Sequence, residues 1–180
     1  MPDIIMETDR LILRRFEESD AELQYRYCNS AAVTRHIGGP KELHQIESSH
    51  AKSEAAFAQF GFGFMAMQEK ASGDFIGYCG AKRVDCAYAK NIGDAEMGWL
   101  VREDRWRQGF AVEAARALLM HMFERIGVPH ICAMTSESNI SSWRLMEKLG
   151  MVRRKELDFD DPDYPEEENP TIVYVKENIS

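Results

Sequence analysis

Hydrophobic and polar positions alternate along "TDRLILRRF", where Leu11 and Leu13 stand against Ile12 and Arg14, and this period of two predicts a first strand. In "EESDAELQYRYCNS" Leu23, Tyr25 and Tyr27 predict a short helix with Ser19 as its N-cap. "GGP" at residues 38–40 breaks the chain, and residues 41–60 predict a second helix. After "GFG" the period returns to two: "FMAMQEK" and "FIGYCGAKRV" read as strands joined by the turn "ASGD", with "DAEMGWLV" as a further strand. Then Ala111, Ala114, Ala115, Leu118, Leu119, Met122, Phe123 and Ile126 recur at three- and four-residue steps, one apolar face of a long helix that Gly127 is placed to end. "PHICAMTSE" is the returning strand. "SNISSWRLMEKLG" is a short helix opened by Ser or Asn and stopped at Gly150. "MVRRKELDF" and "TIVYVKE" predict two closing strands around "DDPDYPEEENP", a proline-broken acidic stretch expected to be an exposed loop.

Hairpins that run into a strand, helix, strand, helix, strand series imply a mixed α/β (α+β) sheet. The strands before and after the long helix become parallel neighbours through a right-handed crossover. A length of 180 residues suits one domain spanning residues 1–180, and no internal repeat argues otherwise.

Composition narrows the function classes. Hydrophobic residues make up 44% of the chain and charged ones 29%, as in ordinary globular proteins, and no apolar run approaches the ~20 residues that span a bilayer. The opening "MPDIIMETDRLILRRF" lacks the order of a secretory signal, so a cytoplasmic protein is expected. A formal net charge of −8 disfavours nucleic acid and favours cationic small molecules or basic peptide ends as partners. Cys28, Cys79, Cys86 and Cys132 are scattered without metal-ligand spacing, so reduced thiols and no metal site are expected. No stripe identifies an interface, and monomer and homodimer both remain open.

The candidate chemistry starts at "RWRQGFAVEAA". A glycine-relieved turn entering a helix can hold a phosphate, because the first N–H groups lack intrahelical partners and the helix end is partly positive. An ATP-type P-loop requires a Lys that is absent, and a dinucleotide fingerprint requires more glycines than Gly109 alone. A coenzyme A diphosphate is the third reading. Arg107, Gln108, Gly109, Phe110 and Ala111 would offer it successive N–H groups, with Gly109 and Ala111 small enough for close approach. The bland alternative is that Gly109 caps the helix and Ala111 packs.

At this turn the sequence resembles the GNAT superfamily of N-acetyltransferases, whose signature is Gln or Arg, two residues, Gly, one residue, then Gly or Ala. Trp106, Arg107, Gln108, Gly109, Phe110 and Ala111 take those places, with Trp106 where Gln or Arg is usual and Arg107 where Gly is frequent. "EMGWLV", "RQGFAVEAA", "SNISSWRLMEKLGM" and the opening "TDRLILRRFEESD" follow the order and spacing of the RimJ/RimL-like subgroup of ribosomal-protein N-terminal acetyltransferases, over residues 7–152. The resemblance implies the GNAT fold: a mixed, mostly antiparallel sheet of six or seven strands with helices on both faces, strands 4 and 5 parallel and splayed. It implies acetyl-CoA as cofactor and an amine, a peptide N-terminus or a small cationic amine, as acceptor. Leu100 and Val101 are then the backbone partners of the pantetheine arm, where the residues alone read equally as sheet core.

Transfer requires a neutral amine. At pH 7 deprotonating a Lys side chain costs about 4.6 kcal/mol and an α-amino group only about 1. One carboxylate suffices for the easier case, and Glu96 is the candidate, polar on a strand otherwise reading as core and matching a position where the family often carries Glu. A salt-bridged Glu at a strand end is the alternative, and a slip of two would put Asp94 there instead. Many family members protonate the departing thiolate with a Tyr, but Met146 holds that position; Ser142, one turn earlier, matches the subgroup's donor, or is simply a helix cap. Asn139 matches the family's cofactor-bonding Asn and is equally placed as an N-cap. No Cys falls in these motifs as a nucleophile, which implies direct attack in a ternary complex. Met146 and the irregular turn also admit a catalytically silent acyl-CoA-binding or sensory module. The acidic loop, Asp158 to Glu168, would attract a cation or merely be solvated.

Overall fold

Alternation becomes pairing in the first part of the chain. In the computed structural model, which describes residues 3–179, β1 (Ile4–Glu7), β2 (Leu11–Arg14), β3 (Phe64–Glu69) and β4 (Phe75–Arg83) pair consecutively antiparallel. Leu11 and Leu13 are fully buried, as the alternation requires. Arg14 is buried as well, because its guanidinium donates to both Asp20 oxygens, at 2.6 and 2.9 Å. β5 (Ala95–Val101) and β6 (His130–Ser136) run parallel. β8 (Thr171–Glu177) is antiparallel to both β6 and β7 (Val152–Arg153), and the sheet order is β1-β2-β3-β4-β5-β6-β8-β7.

This is the mixed, mostly antiparallel sheet expected from the sequence, with eight strands in place of six or seven. The addition is Ile4–Glu7: "IIME" has no alternation of its own and is a strand only because it pairs with β2. The parallel strands, fourth and fifth in the sequence reading, are therefore the fifth and sixth. They share one registered pair, Glu96 opposite Cys132, whereas β6 and β8 stay in register from His130 to Ser136.

The helices are α1 (Asp20–Tyr27), α2 (Ala31–Thr34), α3 (Leu43–Phe60), α4 (Phe110–His121) and α5 (Ile140–Lys148). Ser19 stands at the α1 N-cap but is helical and makes no side-chain cap bond; the Asp20 carboxylate organises this entry by accepting the Glu17 N–H at 2.7 Å. α3 starts with a capping box between Glu42 and Gln45. The α4 stripe is buried at Ala114, Ala115, Leu118, Leu119 and Met122. α4 passes into a π-helical turn, Met122–Ile126, which ends at Gly127 in the left-handed region as predicted.

Two compact units form. One runs to Lys82 and includes Gly98–Leu118; the other comprises Arg83–Met97 and the chain from Leu119 onward. The first packs Cys28, Ala66, Phe75 and Leu100 against Phe16, Leu23, Val33 and Tyr78. The second packs Val84, Cys132, Phe159, Val173 and Val175 against Cys86, Met134 and Leu157.

Two readings change in the second unit. "MVRRKELDF" predicts a strand, yet only Val152–Arg153 forms one. Asp158 Oδ1 accepts the Val173 N–H at 3.0 Å and Oδ2 meets Arg153 at 2.8 Å, so a side chain takes the place of the ladder and Lys155–Leu157 forms a 3-10 turn. The acidic segment is not solvated throughout either. Glu168 is 7% exposed and accepts from the Ser138 hydroxyl at 3.3 Å.

Candidate active site

Two left-handed residues build the turn that opens α4: Arg107 at φ 60° and Gly109 at φ 84°. A non-glycine residue there costs roughly 1–2 kcal/mol, so the surrounding structure must hold Arg107 in place. Among the described residues, none of the N–H groups from Arg107 to Val112 finds an acceptor; Glu113 is the first, donating to the Gly109 carbonyl at 3.0 Å. Successive unclaimed amides at a left-handed turn and a helix N-terminus form an anion-binding concavity. A side chain at Gly109 would be strained by its φ, and its Cβ would lie 3.3 Å from Arg10 Nη2.

That arginine is part of a brace on the same unit. Arg10, at the bend between β1 and β2, donates from Nη1 to the Gln108 carbonyl at 2.9 Å and from Nε to Glu113 Oε2 at 2.7 Å. Its own amide and the Thr8 hydroxyl reach Glu113 Oε1 at 3.0 and 2.5 Å, and its guanidinium lies 4.4 Å from the Phe110 ring centroid. Burial alone would raise the Glu113 carboxyl, but the Thr8 hydroxyl, the Arg10 amide and the Arg10 guanidinium hold it below the ordinary carboxylate value.

The end of β5 is partly occupied. The Leu100 carbonyl faces Gly77 on β4 so closely that a Cβ there would stand 2.0 Å from it, and the Arg102 N–H donates to the Ile76 carbonyl at 2.9 Å. Backbone groups alternate sides along a strand, so Trp99 and Val101 present theirs on the edge turned away from β4. On that edge the Val101 carbonyl accepts the Trp106 indole N–H at 2.7 Å. The Trp106 amide donates to Glu103, so Trp106 fastens the loop and contributes no free N–H to the turn.

The second unit carries the other candidates. Glu96 is half-buried on β5 opposite Cys132. Asp94 lies just outside the strand, 2.9 Å from His130 Nε2 and 3.1 Å from the Asn91 amide, so Glu96 keeps the strand position read from the sequence. Asn139 occupies the α5 N-cap without a side-chain cap bond. Its Nδ2 donates to Thr135 Oγ1 at 2.9 Å and its Oδ1 accepts from Ser141 at 3.1 Å, leaving one donor and one lone pair. The Ser142 hydroxyl has no hydrogen-bond partner among the described residues, so it is not a cap. Met146 is 1% exposed and belongs to the core. Burial pushes the thiols of Cys28, Cys79 and Cys132 up to about 12, so they are protonated at neutral pH.

The structure thus gathers Arg107 to Ala111 in one turn, as expected, and adds Thr8, Arg10 and Glu113, which sequence reasoning missed. Glu113 was already visible as a carboxylate in the first turn of a helix read as anion-binding, a conflict that calls for a cation. Nothing local says that the cation lies 103 residues earlier. Among the described residues no helix is long and apolar enough to cross a membrane, and no cluster of three His, Cys, Asp or Glu could hold a metal ion.

The acetyltransferase (GNAT) domain family matches residues 10–152. The chain is 32% identical to the uncharacterized N-acetyltransferase YoaA of Bacillus subtilis (strain 168) over 152 residues, 83% of each chain. An acetyltransferase structure from Agrobacterium tumefaciens str. C58 superposes with a TM-score of 0.78 at 26% identity, covering 96% of this chain and 93% of that one. RimL, the ribosomal L7/L12 alpha-N-protein acetyltransferase in complex with coenzyme A, shares the fold at a TM-score of 0.80 and 14% identity, covering 99% and 100%.

Proposed function

The chain belongs to the GNAT acetyltransferases, whose cofactor is acetyl-CoA, and from that premise we propose that it acetylates a primary amine, a protein N-terminal α-amine or a small amine, by direct transfer. One observation carries this reading: the unclaimed amides from Arg107 to Val112 at a positively polarised helix end. They fit a diphosphate, since the donors have no acceptor among the described residues and Gly109 presents no side chain against it. The Val101 N–H and the backbone of Trp99, on the open edge of β5, take the role first assigned to Leu100 and Val101 in pairing with the pantetheine amides.

When bound, acetyl-CoA supplies the acetyl group as a thioester, so that a C–N bond to the amine forms as the C–S bond breaks. Glu96 accepts the proton the amine must lose. The Ser142 hydroxyl, which has no hydrogen-bond partner among the described residues, donates to the departing sulfur and is reprotonated from water. Asn139 retains a donor and a lone pair for the cofactor. The buried thiols of Cys28, Cys79 and Cys132, held protonated at neutral pH, disfavour an acyl-cysteine relay through them and support direct attack. An N-terminal α-amine, which needs only about 1 kcal/mol to deprotonate at pH 7, suits a site with one carboxylate base. RimL, with the same fold, is an acetyltransferase of a protein α-amine, and the net charge of −8 favours a cationic acceptor.

A thiol-release assay with acetyl-CoA tests the reading, run against a panel of small amines and peptides with free N-termini. Amine-dependent release of free coenzyme A is expected. Coenzyme A binding without turnover on any member of a broad panel overturns it.

A further inference from the structure

The carboxylate of Glu113 sits one turn inside a helix end that receives a dianion, where its charge opposes the ligand. Thr8, the Arg10 amide, Arg10 Nε and Arg10 Nη2 all converge on it, the last at 2.6 Å. The remaining guanidinium nitrogen, Nη1, takes the Gln108 carbonyl, which lies between the two left-handed residues of the turn. In a trans peptide the carbonyl and the following N–H point in opposite directions. Drawing the Gln108 carbonyl toward Arg10 therefore aims the Gly109 N–H away from Arg10.

Arg10 is itself held. The Lys70 amide donates to its carbonyl at 2.9 Å, and its guanidinium rests on Phe110, which lies three residues before Glu113 on the same face of α4. We propose that Arg10, locked to Glu113, is a positioning residue for the acetyl-CoA diphosphate: it neutralises the helix-borne carboxylate and sets the peptide plane that presents the Gly109 amide. This role rests on the acetyl-CoA reading above. It belongs to geometry as much as to charge, since one guanidinium serves Glu113 and the Gln108 carbonyl at once and an ammonium cannot span both.

Titration calorimetry with coenzyme A on wild type, Arg10→Gln, Arg10→Lys, Arg10→Glu and Arg10→Glu/Glu113→Arg tests it, with melting temperature recorded without ligand. A displaced turn weakens coenzyme A about 10- to 100-fold in Arg10→Gln, and Arg10→Lys recovers only part of that loss. The charge-reversed pair binds more tightly than Arg10→Glu alone. In steady state, KM for acetyl-CoA rises in Arg10→Gln while kcat stays within about twofold. With acetyl-pantetheine, which has no diphosphate, kcat/KM stays within about threefold of wild type. A purely structural role would lower both donors together. If Arg10→Gln does not fold, Arg10→Lys carries the same readouts. Wild-type binding with equal affinity in Arg10→Gln and Arg10→Lys overturns the brace alone. A wild type that does not bind coenzyme A overturns the cofactor reading beneath it.

Discussion

The starts of α4 and α5 are two helix N-termini handled in opposite ways. At α4 the amides from Arg107 to Val112 are left without acceptors among the described residues, and beside them Arg10 binds both Glu113 and the Gln108 carbonyl. At α5 the amides of Asn139, Ile140, Ser142 and Trp143 all find local carbonyls, while the Ser142 hydroxyl has no hydrogen-bond partner among the described residues. Every helix offers orphan donors at its start. They are available to a ligand only where local acceptors are withheld, and at α4 the withholding coincides with left-handed backbone at Arg107 and Gly109. In the proposed division of labour, the α4 start holds the cofactor, and the unit containing α5 supplies proton transfer.

Substitutions should separate these roles. The largest effect belongs to Glu96→Gln: a fall of about 10²- to 10⁴-fold in kcat by rapid-mixing or steady-state assay, with coenzyme A affinity retained. Equal loss of both would mean that Glu96 supports binding rather than base catalysis. Next is Gly109→Val, which forces a β-branched residue to φ 84° against Arg10. About 1–3 kcal/mol of strain corresponds to roughly 5- to 150-fold weaker coenzyme A binding by calorimetry. Unchanged binding would remove the α4 turn from the cofactor site.

Ser142→Ala should lower kcat about tenfold, in line with losing one hydrogen bond to a developing charge, with little change in stability because the hydroxyl has no protein partner. A thermal melt that drops by several degrees instead would reassign Ser142 to the scaffold. The smallest effect concerns pH. Glu113 is held below its ordinary value when folded, so its stabilisation is present above the ordinary carboxylate range and lost as pH falls through the depressed value. Glu113→Gln should be less stable than wild type by about 1–2 kcal/mol in urea at pH 7, and the gap should close at a pH below the depressed value of the Glu113 carboxyl. A gap of equal size at both pH values would show that packing, not the ionised brace, is responsible.

Elements with strong local periodicity were readable in advance. The α4 stripe and the hairpin of β3 and β4 follow from spacing, and Gly127 ends its helix because only a left-handed residue closes it there. Readings failed where a side chain's own hydrogen bonds overruled the hydrophobic pattern. Asp158 replaced a ladder with its own carboxylate at the predicted strand of residues 151–159, and Glu168 was drawn out of a stretch read as solvated by the Ser138 hydroxyl. At β5, one residue of strand phase decided which backbone groups remain available, because the Leu100 carbonyl turns toward Gly77. Alternation of side chains cannot show which strand edge lies open.

The residues by themselves determined the sheet class and the glycine turn that opens α4, because glycine placement and helical period act through neighbours a few bonds away, while the resemblance to the family was carried by the motifs along residues 7–152. Only the tertiary structure brought Arg10 to Glu113 and Gln108 and left the Ser142 hydroxyl without a partner among the described residues. Those are encounters across loops whose closure depends on the whole chain's packing, and no spacing along the sequence encodes their distance.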